Sequence, residues 1–259
     1  MNTWINPVHG GEPLADLYAR HSGTLRGVLR HHLVDRALSE HLPAEPPQRV
    51  LDIGGGTGAQ ARALAERGHR VTVLDPDEDM LEGAHSTWQP HAKNAAGTVT
   101  FLHGLGEHAP QLAGTGWDAV LCHGVLMYLQ DPTPLLHSIA HCVRPGGLVS
   151  VLAKQDTALA MRPALERNWS GVLEVLRSPV ERGRLAVVSR GVSRQEVARL
   201  LAERGVRTQR WYGVRCFTDH LGDESPGADF PQVLEAEWAA GRRDPYRLIA
   251  RHFHLIARA

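Results

Sequence analysis

The sequence lacks the segments that direct a protein into or across a membrane. No run of about 18 apolar residues occurs, so no transmembrane helix is predicted. The residues from Met1 to Pro7 contain neither the basic stretch nor the apolar stretch of a signal peptide. We therefore expect a cytoplasmic protein with no membrane partner.

The sequence also lacks a charge excess and a set of metal ligands. Lys plus Arg and Asp plus Glu each total 28, so the formal net charge is zero and nothing global indicates a nucleic-acid binder. The three cysteines have no metal-ligand spacing and are expected to be reduced thiols. His137 and His141 are four residues apart, but no third ligand accompanies them, so we predict no metal site.

The stretch with the most information runs from Arg49 to Gly58. An apolar strand that contains Asp52 leads into a glycine-rich turn (Gly54, Gly55 and Gly56), and a helix is predicted to follow from Ala59 to Arg67. Glycines are needed where the backbone turns sharply and a ligand lies against it. This strand, turn and helix therefore predict a ligand site, although a glycine-rich turn without a nucleotide is an alternative.

A second apolar strand, Val71 to Leu74, ends in Asp75. An acid at this position can accept hydrogen bonds from both hydroxyls of an adenosine ribose. Asp52, which precedes the first glycine, would repel a pyrophosphate but suits an ammonium group. The two acids together predict a cofactor that contains adenosine and an ammonium group.

The remaining chain continues the alternation of strands and helices, which predicts a parallel sheet with ligands at the carboxyl ends of its strands. Helices are also predicted over Glu78 to Ala84, over a long stretch from Thr157 to Leu176, and from a capping box at Ser193 to Arg204. Strands are expected at Val206 to Phe217 and near the C-terminus.

The run from Asp52 to Gly58, followed by Asp75, resembles motif I and the ribose-binding acid of the class I S-adenosylmethionine-dependent methyltransferases. The resemblance implies an α/β Rossmann-like fold, with a seven-stranded, mainly parallel sheet, helices on both faces, an antiparallel closing hairpin and helical lid insertions. It implies one domain over residues 1–259, with N-terminal cap helices at about 11–41 and lids at about 155–192 and 218–250. The resemblance implies that Asp52, Gly54, Gly55, Gly56 and Asp75 contact S-adenosylmethionine.

Over nearly its full length the chain is similar to the bacterial tRNA uridine-5-oxyacetic acid carboxyl methyltransferases. The segments from Gly23 to Arg30 and from Gly213 to Asp219 carry this resemblance most specifically. It implies further contacts of S-adenosylmethionine at Arg26, Gly106, Glu107 and His123. It also implies a tRNA acceptor, whereas the stretch Pro179 to Leu185 lacks the lysine run of those proteins. An O- or N-methyltransferase acting on a small-molecule metabolite and a non-catalytic S-adenosylmethionine-binding protein are the alternatives.

The family-specific segment also predicts how the acceptor is bound. We expect Arg215 to clamp the acceptor's carboxylate, with Tyr212 beside it, although strand alternation puts these two residues on opposite faces. The alternative is that Arg215 pairs with Asp219 or Glu224. If Arg215 is structural, the clamp is expected among Arg20, Arg30, Arg182 and Arg184. A carboxylate acceptor is already ionised and needs no general base, so we assign no catalytic residue.

Overall fold

A computed structural model of the protein describes residues 14–182 and 188–259. Two helices, α1 (Leu14–Gly23) and α2 (Leu25–His41), precede the first strand. The alternating part consists of β1 (Arg49–Ile53), α3 (Ala59–Glu66), β2 (Arg70–Asp75), α4 (Glu78–Ala92), β3 (Thr98–His103), α5 (Ala109–Leu112), β4 (Trp117–His123), α6 (Thr133–Cys142) and β5 (Val143–Lys154). The later elements are α7 (Met161–Leu165), α8 (Trp169–Arg177), β6 (Val180–Arg182), β7 (Val188–Arg190), α9 (Arg194–Ala202), β8 (Arg207–Val214), α10 (Phe230–Gly241) and β9 (His252–Arg258).

Seven of the strands form one sheet in the order β3-β2-β1-β4-β5-β9-β8. Strands β1 to β5 pair in parallel, and β9 pairs antiparallel with both β5 and β8. The predicted mainly parallel sheet and its antiparallel closing hairpin are therefore confirmed. Because the parallel strands end at the same edge, the loops after β1, β2 and β4 meet there.

A hydrophobic core lies on each face of the sheet. Neighbouring strand residues point to opposite faces, so Leu51 contributes to one core and Val50 to the other. Helix α6 packs Leu136 into the first core, and helix α2 packs Leu33 into the second. Helices therefore cover both faces of the sheet, as predicted, while the bounds proposed for the domain and its lids stay predictions.

Two helices differ from the sequence-based prediction. Helix α4 continues to Ala92 rather than ending near Ala84, with Pro90 inside its last turn. The buried ring of Trp88 packs in the second core and holds this last part of the helix against the sheet. The stretch predicted as one long helix is divided between α7 and α8, because Arg167 has a left-handed backbone (φ 58°) and the Asn168 side chain caps the new helix at Gly171 N.

Two strand regions also differ from the sequence-based prediction. The hairpin of β6 and β7 was not predicted, since each strand has three residues and shows no clear period. Strand β8 ends at Val214 rather than at Phe217, because Arg215 has a left-handed backbone (φ 63°) that cannot continue a strand. Among the described helices, none has both the length and the apolar character needed to cross a bilayer.

Candidate active site

A cavity of about 600 Å³ lies at the carboxyl edge of the parallel strands. The loops after β1, β2, β3 and β4 line one part of it, and residues at the ends of β5, β8 and β9 line the other. With neighbouring strands about 4.8 Å apart, the distance from β2 to β9 is roughly 19 Å. We call these parts the β1–β2 side and the β5–β9 side.

The glycine-rich turn after β1 needs its glycines for different reasons. Gly54 has a φ of +70°, and a Cβ there would lie 2.2 Å from Val125 Cγ2. A Cβ on Gly55 would lie 2.8 Å from Asp52 Oδ2. Gly56 has a φ of +51°, and a Cβ there would meet nothing closer than Met80 Sδ at 4.0 Å. A side chain at Gly56 would therefore project into open space beside the turn, where the predicted ligand would lie.

Asp75, at the end of β2, holds this turn in place. Its Oδ2 accepts a hydrogen bond from Gly56 N, and its Oδ1 accepts one from Asp77 N, both at 2.9 Å. Burial raises the pKa of Asp75, while these two backbone hydrogen bonds oppose the increase. Each carboxylate oxygen has a further lone pair, so Asp75 can still accept from two hydroxyl groups.

Asp52 lies in β1 with 2% of its surface exposed and lines the same side of the cavity. Burial, with the nearby charge of Asp75, raises the pKa of Asp52 to about 7. An ammonium group in the cavity would stabilise the ionised carboxylate. The set of acceptors on the β1–β2 side therefore fits S-adenosylmethionine, with hydroxyls at Asp75 and an ammonium group at Asp52.

The loop after β3 contributes the predicted residues Gly106 and Glu107. A Cβ on Gly106 would lie 2.5 Å from Ile53 Cγ2 and 2.7 Å from Leu135 Cδ1, so this position requires a glycine. The Gly106 carbonyl accepts a hydrogen bond from Ser138 Oγ at 2.7 Å, which fixes the loop to α6. Both Gly106 and Glu107 line the cavity.

Residues of both N-terminal helices line the cavity. Arg26, in the first turn of α2, is 2% exposed and forms an ion pair with Asp223. Tyr18 of α1 and Tyr128, in the loop after β4, share a hydrogen bond of 2.7 Å between their hydroxyl groups. The N-terminal helices are thus joined to two other parts of the chain around the cavity. His123, at the end of β4, lines the cavity between its two sides.

A cluster of charged side chains forms the β5–β9 side. Glu181 accepts hydrogen bonds from Lys154 Nζ at 2.8 Å, from Arg162 Nη2 at 3.2 Å and from Arg251 Nη2. Arg251 Nε also lies 3.5 Å from Asp219 Oδ2. These cations lower the pKa of Glu181 despite its burial, so the carboxylate stays ionised.

Arg215 joins this cluster from the end of β8. Its Nη2 lies 3.2 Å from Asp219 Oδ1 and 3.4 Å from His252 Nδ1. Within residues 14–182 and 188–259, the buried Nε and Nη1 of Arg215 have no hydrogen-bond partner. Two donor nitrogens of the guanidinium are therefore left to bind something else.

We call Lys154, Arg162, Arg215, Arg251, Glu181 and Asp219 the basic cluster. Four positive side chains and two negative ones leave two positive charges among these described residues. Burial lowers the pKa of Arg215 to about 10 and that of Lys154 to about 8, so both are mostly charged at neutral pH. A buried surplus of positive charge is costly without an anion, so this side of the cavity is suited to an anionic ligand.

The structure contradicts the prediction that Tyr212 contacts the acceptor. The Tyr212 side chain points to the opposite face of β8, where its hydroxyl is 2.8 Å from both Glu40 Oε2 and His41 Nε2. Its ring stacks on Trp238 at a centroid distance of 5.2 Å, and it does not line the cavity. No bend in β8 brings Tyr212 and Arg215 to the same side, so strand alternation decides the outcome.

The cavity also contains residues to which the sequence analysis gave no role. Lys154, Arg162, Arg251 and His252 all line it. Arg251 directly precedes the C-terminal strand and His252 is its first residue, but nothing in the local pattern separated them from structural residues. Of the four reserve candidates, Arg30 lines the cavity and Arg20 is exposed, whereas the Arg182 side chain and all of Arg184 lie outside the described residues.

His137 and His141 lie on α6, and the described part of the chain has no group of three or more His, Cys, Asp or Glu side chains placed to hold a metal ion. The three cysteines are free thiols.

The fold and the cavity agree with comparisons to known proteins. A profile described as "Methyltransferase domain" matches residues 51–151. An S-adenosylmethionine-dependent methyltransferase from Mesorhizobium loti superposes with a TM-score of 0.60 at 18% identity, covering 92% of this chain and 100% of its own. A magnesium protoporphyrin IX methyltransferase from Synechocystis with bound SAH gives 0.61 at 17%, with coverages of 94% and 92%. The chain has the fold of the class I S-adenosylmethionine-dependent methyltransferases.

One relative extends the match beyond the cofactor half. A tRNA 5-carboxymethoxyuridine methyltransferase from Escherichia coli (strain K12) is 30% identical over 251 residues, which are 95% of both chains. A ubiquinone biosynthesis O-methyltransferase from Vibrio parahaemolyticus is 36% identical over 103 residues, 39% of this chain and 42% of its own. The chain belongs to the family of the Escherichia coli enzyme.

Proposed function

We propose that the protein transfers a methyl group from S-adenosylmethionine to the carboxylate of 5-carboxymethoxyuridine in tRNA. The observation that carries this proposal is the buried surplus of positive charge in the basic cluster, beside a cofactor site in the same cavity. The printed activity of the Escherichia coli relative supports the choice of acceptor. A tRNA acceptor would place the protein in the cytoplasm.

The β1–β2 side would hold the methyl donor. We assign Asp75 to the ribose hydroxyls, Asp52 to the ammonium group, and Gly54, Gly55 and Gly56 to the close approach of the backbone. Gly106 and Glu107 would border the adenine, while Arg26 and His123 would face the amino-acid part. Arg26 is ion-paired with Asp223, but its buried Nε has no hydrogen-bond partner among the described residues and could donate to a carboxylate.

The β5–β9 side would hold the acceptor. We assign Arg215 to its carboxylate, because its buried Nε and Nη1 have no hydrogen-bond partner among the described residues and can still donate. Asp219 and Arg251 would fix the orientation of Arg215 from behind. Arg215 therefore pairs with Asp219, as the structural alternative expected, and still retains donors for a ligand.

The proposed reaction requires little proton transfer. When bound, S-adenosylmethionine supplies an electrophilic methyl group on a sulfonium centre. A carboxylate has a reference pKa near about 4, so it reaches the site ionised and no side chain has to remove a proton. The residues of the chain would bind and orient the acceptor. The N-terminal helices, which the hydrogen bond between Tyr18 and Tyr128 joins to the loop after β4, would exclude water.

Mass spectrometry of tRNA tests the proposal. Purified protein with S-adenosylmethionine would be incubated with tRNA from a strain that lacks the endogenous methyltransferase, and the digested nucleosides analysed. We expect 5-carboxymethoxyuridine to be converted to its methyl ester. Conversion of a small carboxylic acid, with no change in the tRNA, would replace the tRNA acceptor by a metabolite. Binding of S-adenosylmethionine without turnover on either would favour a non-catalytic binding protein.

A further inference from the structure

Three polar side chains on adjacent strands form a hydrogen-bonded chain that ends at the cavity. Nε2 of His123 (β4) lies 2.8 Å from Oγ of Ser150 (β5), and the same oxygen lies 2.7 Å from Nε2 of His254 (β9). Ser150 and His254 have no exposed surface, whereas His123 lines the cavity. Since Nε2 of His123 is occupied by Ser150, Nδ1 is the nitrogen left for a ligand.

Both imidazole rings are neutral at physiological pH. Burial, with the influence of His41, lowers the pKa of His254 to about 3. Burial also lowers the pKa of His123 well below its ordinary value, and a positive charge on His254 or on Arg30 acts in the same direction. A neutral imidazole has one N–H and one lone pair, and a serine hydroxyl has one proton, so the hydrogen bonds can be counted.

Two arrangements use the Ser150 proton. In the first, His123 donates from Nε2 to Ser150, Ser150 donates to His254 Nε2, and the N–H of His254 is at Nδ1. In the second, His254 donates from Nε2 to Ser150, Ser150 donates to His123 Nε2, and the N–H of His123 is at Nδ1. If both rings donated to Ser150, the hydroxyl proton would have no acceptor among the described hydrogen bonds.

The surroundings of His254 distinguish the two arrangements. Its Nδ1 is buried and has no hydrogen-bond partner within the described part of the chain. The first arrangement would put an N–H there, whereas the second puts a lone pair there. Buried N–H groups without an acceptor are rarer in proteins than unpaired acceptors, so the second arrangement is favoured.

We propose that Ser150 and His254 are positioning residues that hold His123 as its Nδ1–H tautomer, so that His123 donates a hydrogen bond to a carboxylate oxygen in the cavity. The opposite tautomer would present a lone pair and would select an ammonium group instead. The two tautomers would therefore bind ligand groups of opposite charge at the same position.

The charges around His123 agree with an anionic oxygen. Arg30 Nη1 lies 3.5 Å from the position that a Cβ on Gly124 would occupy, directly after His123 in the chain. An oxygen between Arg30 and His123 could accept from both. Because β4 lies between the two sides of the cavity, the carboxylate could belong to the amino-acid part of the cofactor or to the acceptor. The inference rests on the cavity as a methyltransferase site and does not depend on tRNA as the acceptor.

Nitrogen NMR of the wild-type protein tests the tautomer, and substitutions serve only to assign its signals. Protein labelled with [¹⁵N]histidine gives separate two-bond correlations for the two tautomers, and His123→Gln and His254→Gln identify the two rings. We expect a pyrrole-like Nδ1 and a pyridine-like Nε2 in His123, with the reverse in His254. A pyrrole-like Nε2 in His123 would overturn the proposal.

Binding measurements with Ser150→Ala test the consequence, and Ser150→Thr is the matched variant that keeps the hydroxyl. If the cofactor supplies the carboxylate, Ser150→Ala should weaken binding of S-adenosylhomocysteine by about 3- to 10-fold, but leave unchanged that of 5′-methylthioadenosine, which has no carboxylate. If the acceptor supplies it, the acceptor KM should rise by a similar factor while both ligands bind normally. Ser150→Thr should restore the tautomer and the affinity.

The proposal fails if Ser150→Ala releases the tautomer in the NMR spectrum and yet changes neither the affinity for S-adenosylhomocysteine nor the acceptor KM. A negative result in the tRNA assay would leave the wild-type NMR measurement and both ligand-binding measurements valid. The two proposals can therefore fail separately.

Discussion

The two sides of the cavity are built from different parts of the chain and by different means. The β1–β2 side consists mostly of backbone, with a glycine turn held by Asp75 and segments that follow one another closely in the sequence. The β5–β9 side consists of side chains from five separate segments, and Glu181 and Asp219 hold them together. A turn of this kind is a local motif, whereas the basic cluster exists only after the chain has folded.

The buried carboxylates show the same contrast. Burial raises the pKa of Asp52 to about 7, and no cation among the described residues opposes this change. The pKa values of Glu181 and Asp219 are lowered, because arginine side chains outweigh the effect of burial. The β1–β2 side is therefore ready for a positively charged group and the β5–β9 side for a negatively charged one. Substitutions on the two sides should accordingly affect different ligands.

The largest effect is expected from Gly56→Val, which should remove cofactor binding. The substitution puts a β-branched side chain on a left-handed backbone (φ +51°) and directs it into open space beside the turn. We expect the Kd of S-adenosylhomocysteine, measured by isothermal titration calorimetry, to rise by about 100-fold or more, while the protein keeps its fold.

Gly83→Ala is the control for that experiment. Gly83 is exposed on helix α4, and a Cβ there would have no neighbour within 4 Å. This variant should bind normally and gain about 0.5–1 kcal/mol of stability from the helix propensity of alanine. If Gly56→Val is folded and binds as well as Gly83→Ala, the turn does not hold the cofactor.

The sequence predicts the β1–β2 side well, because each of its residues belongs to a local pattern. Asp52, the glycines and Asp75 are placed by strands whose ends are evident from a few residues. Lys154, Arg162 and Arg251 were missed, since their common partner Glu181 is far from all three in the sequence. A buried arginine and an exposed one look the same when no period or motif surrounds them.

For Arg215 and Tyr212, the sequence around them predicted only part of the observed arrangement. Arg215 belongs to the family-specific segment from Gly213 to Asp219, Tyr212 directly precedes it, and that resemblance alone predicted a shared role. Strand alternation put them on opposite faces, and the structure agrees with alternation. Arg215 has a left-handed backbone, which ends β8. Because this residue is not a glycine, nothing in the sequence predicted that backbone.

An intermediate effect is expected from Arg215→Lys, which should affect the acceptor and not the cofactor. Lysine keeps the charge next to Asp219, so the ion pair should survive, but one ammonium group cannot pair with Asp219 and also supply the donors of both Nε and Nη1. We expect kcat/KM for the acceptor to fall by about 10-fold, with an unchanged Kd for S-adenosylhomocysteine.

Arg144→Lys is the matched control for Arg215→Lys. Arg144 pairs with Asp118 at 2.6 Å, and neither residue lines the cavity. Its substitution should leave both the acceptor kinetics and the cofactor affinity unchanged. If Arg215→Lys lowers thermal stability with normal acceptor kinetics, Arg215 is structural, and Arg30 becomes the first candidate for the clamp.

The smallest effect is expected from the charge of Asp52, which should make both stability and cofactor binding depend on pH. The pKa of Asp52 in the folded protein, about 7, is above the unfolded value of 3.8. The unfolded chain therefore releases this proton first, and the stability contributed by the protonated group is lost as pH rises from about 4 to about 7. Asp52→Asn should consequently make the ligand-free protein more stable above about pH 7, as measured by urea unfolding.

Cofactor binding should respond to pH in the opposite sense. If the ammonium group of the cofactor pairs with ionised Asp52, affinity for S-adenosylhomocysteine should rise by about 3-fold between about pH 6.5 and about pH 7.5, as the ionised fraction increases. The nearby His21 and His123 do not titrate in this range, since their pKa values are lowered to about 4 and well below the ordinary value, respectively. Asp52→Asn should bind more weakly at the higher pH and show no such slope. A slope that persists in Asp52→Asn would assign the titration to another group and leave the ammonium site without support.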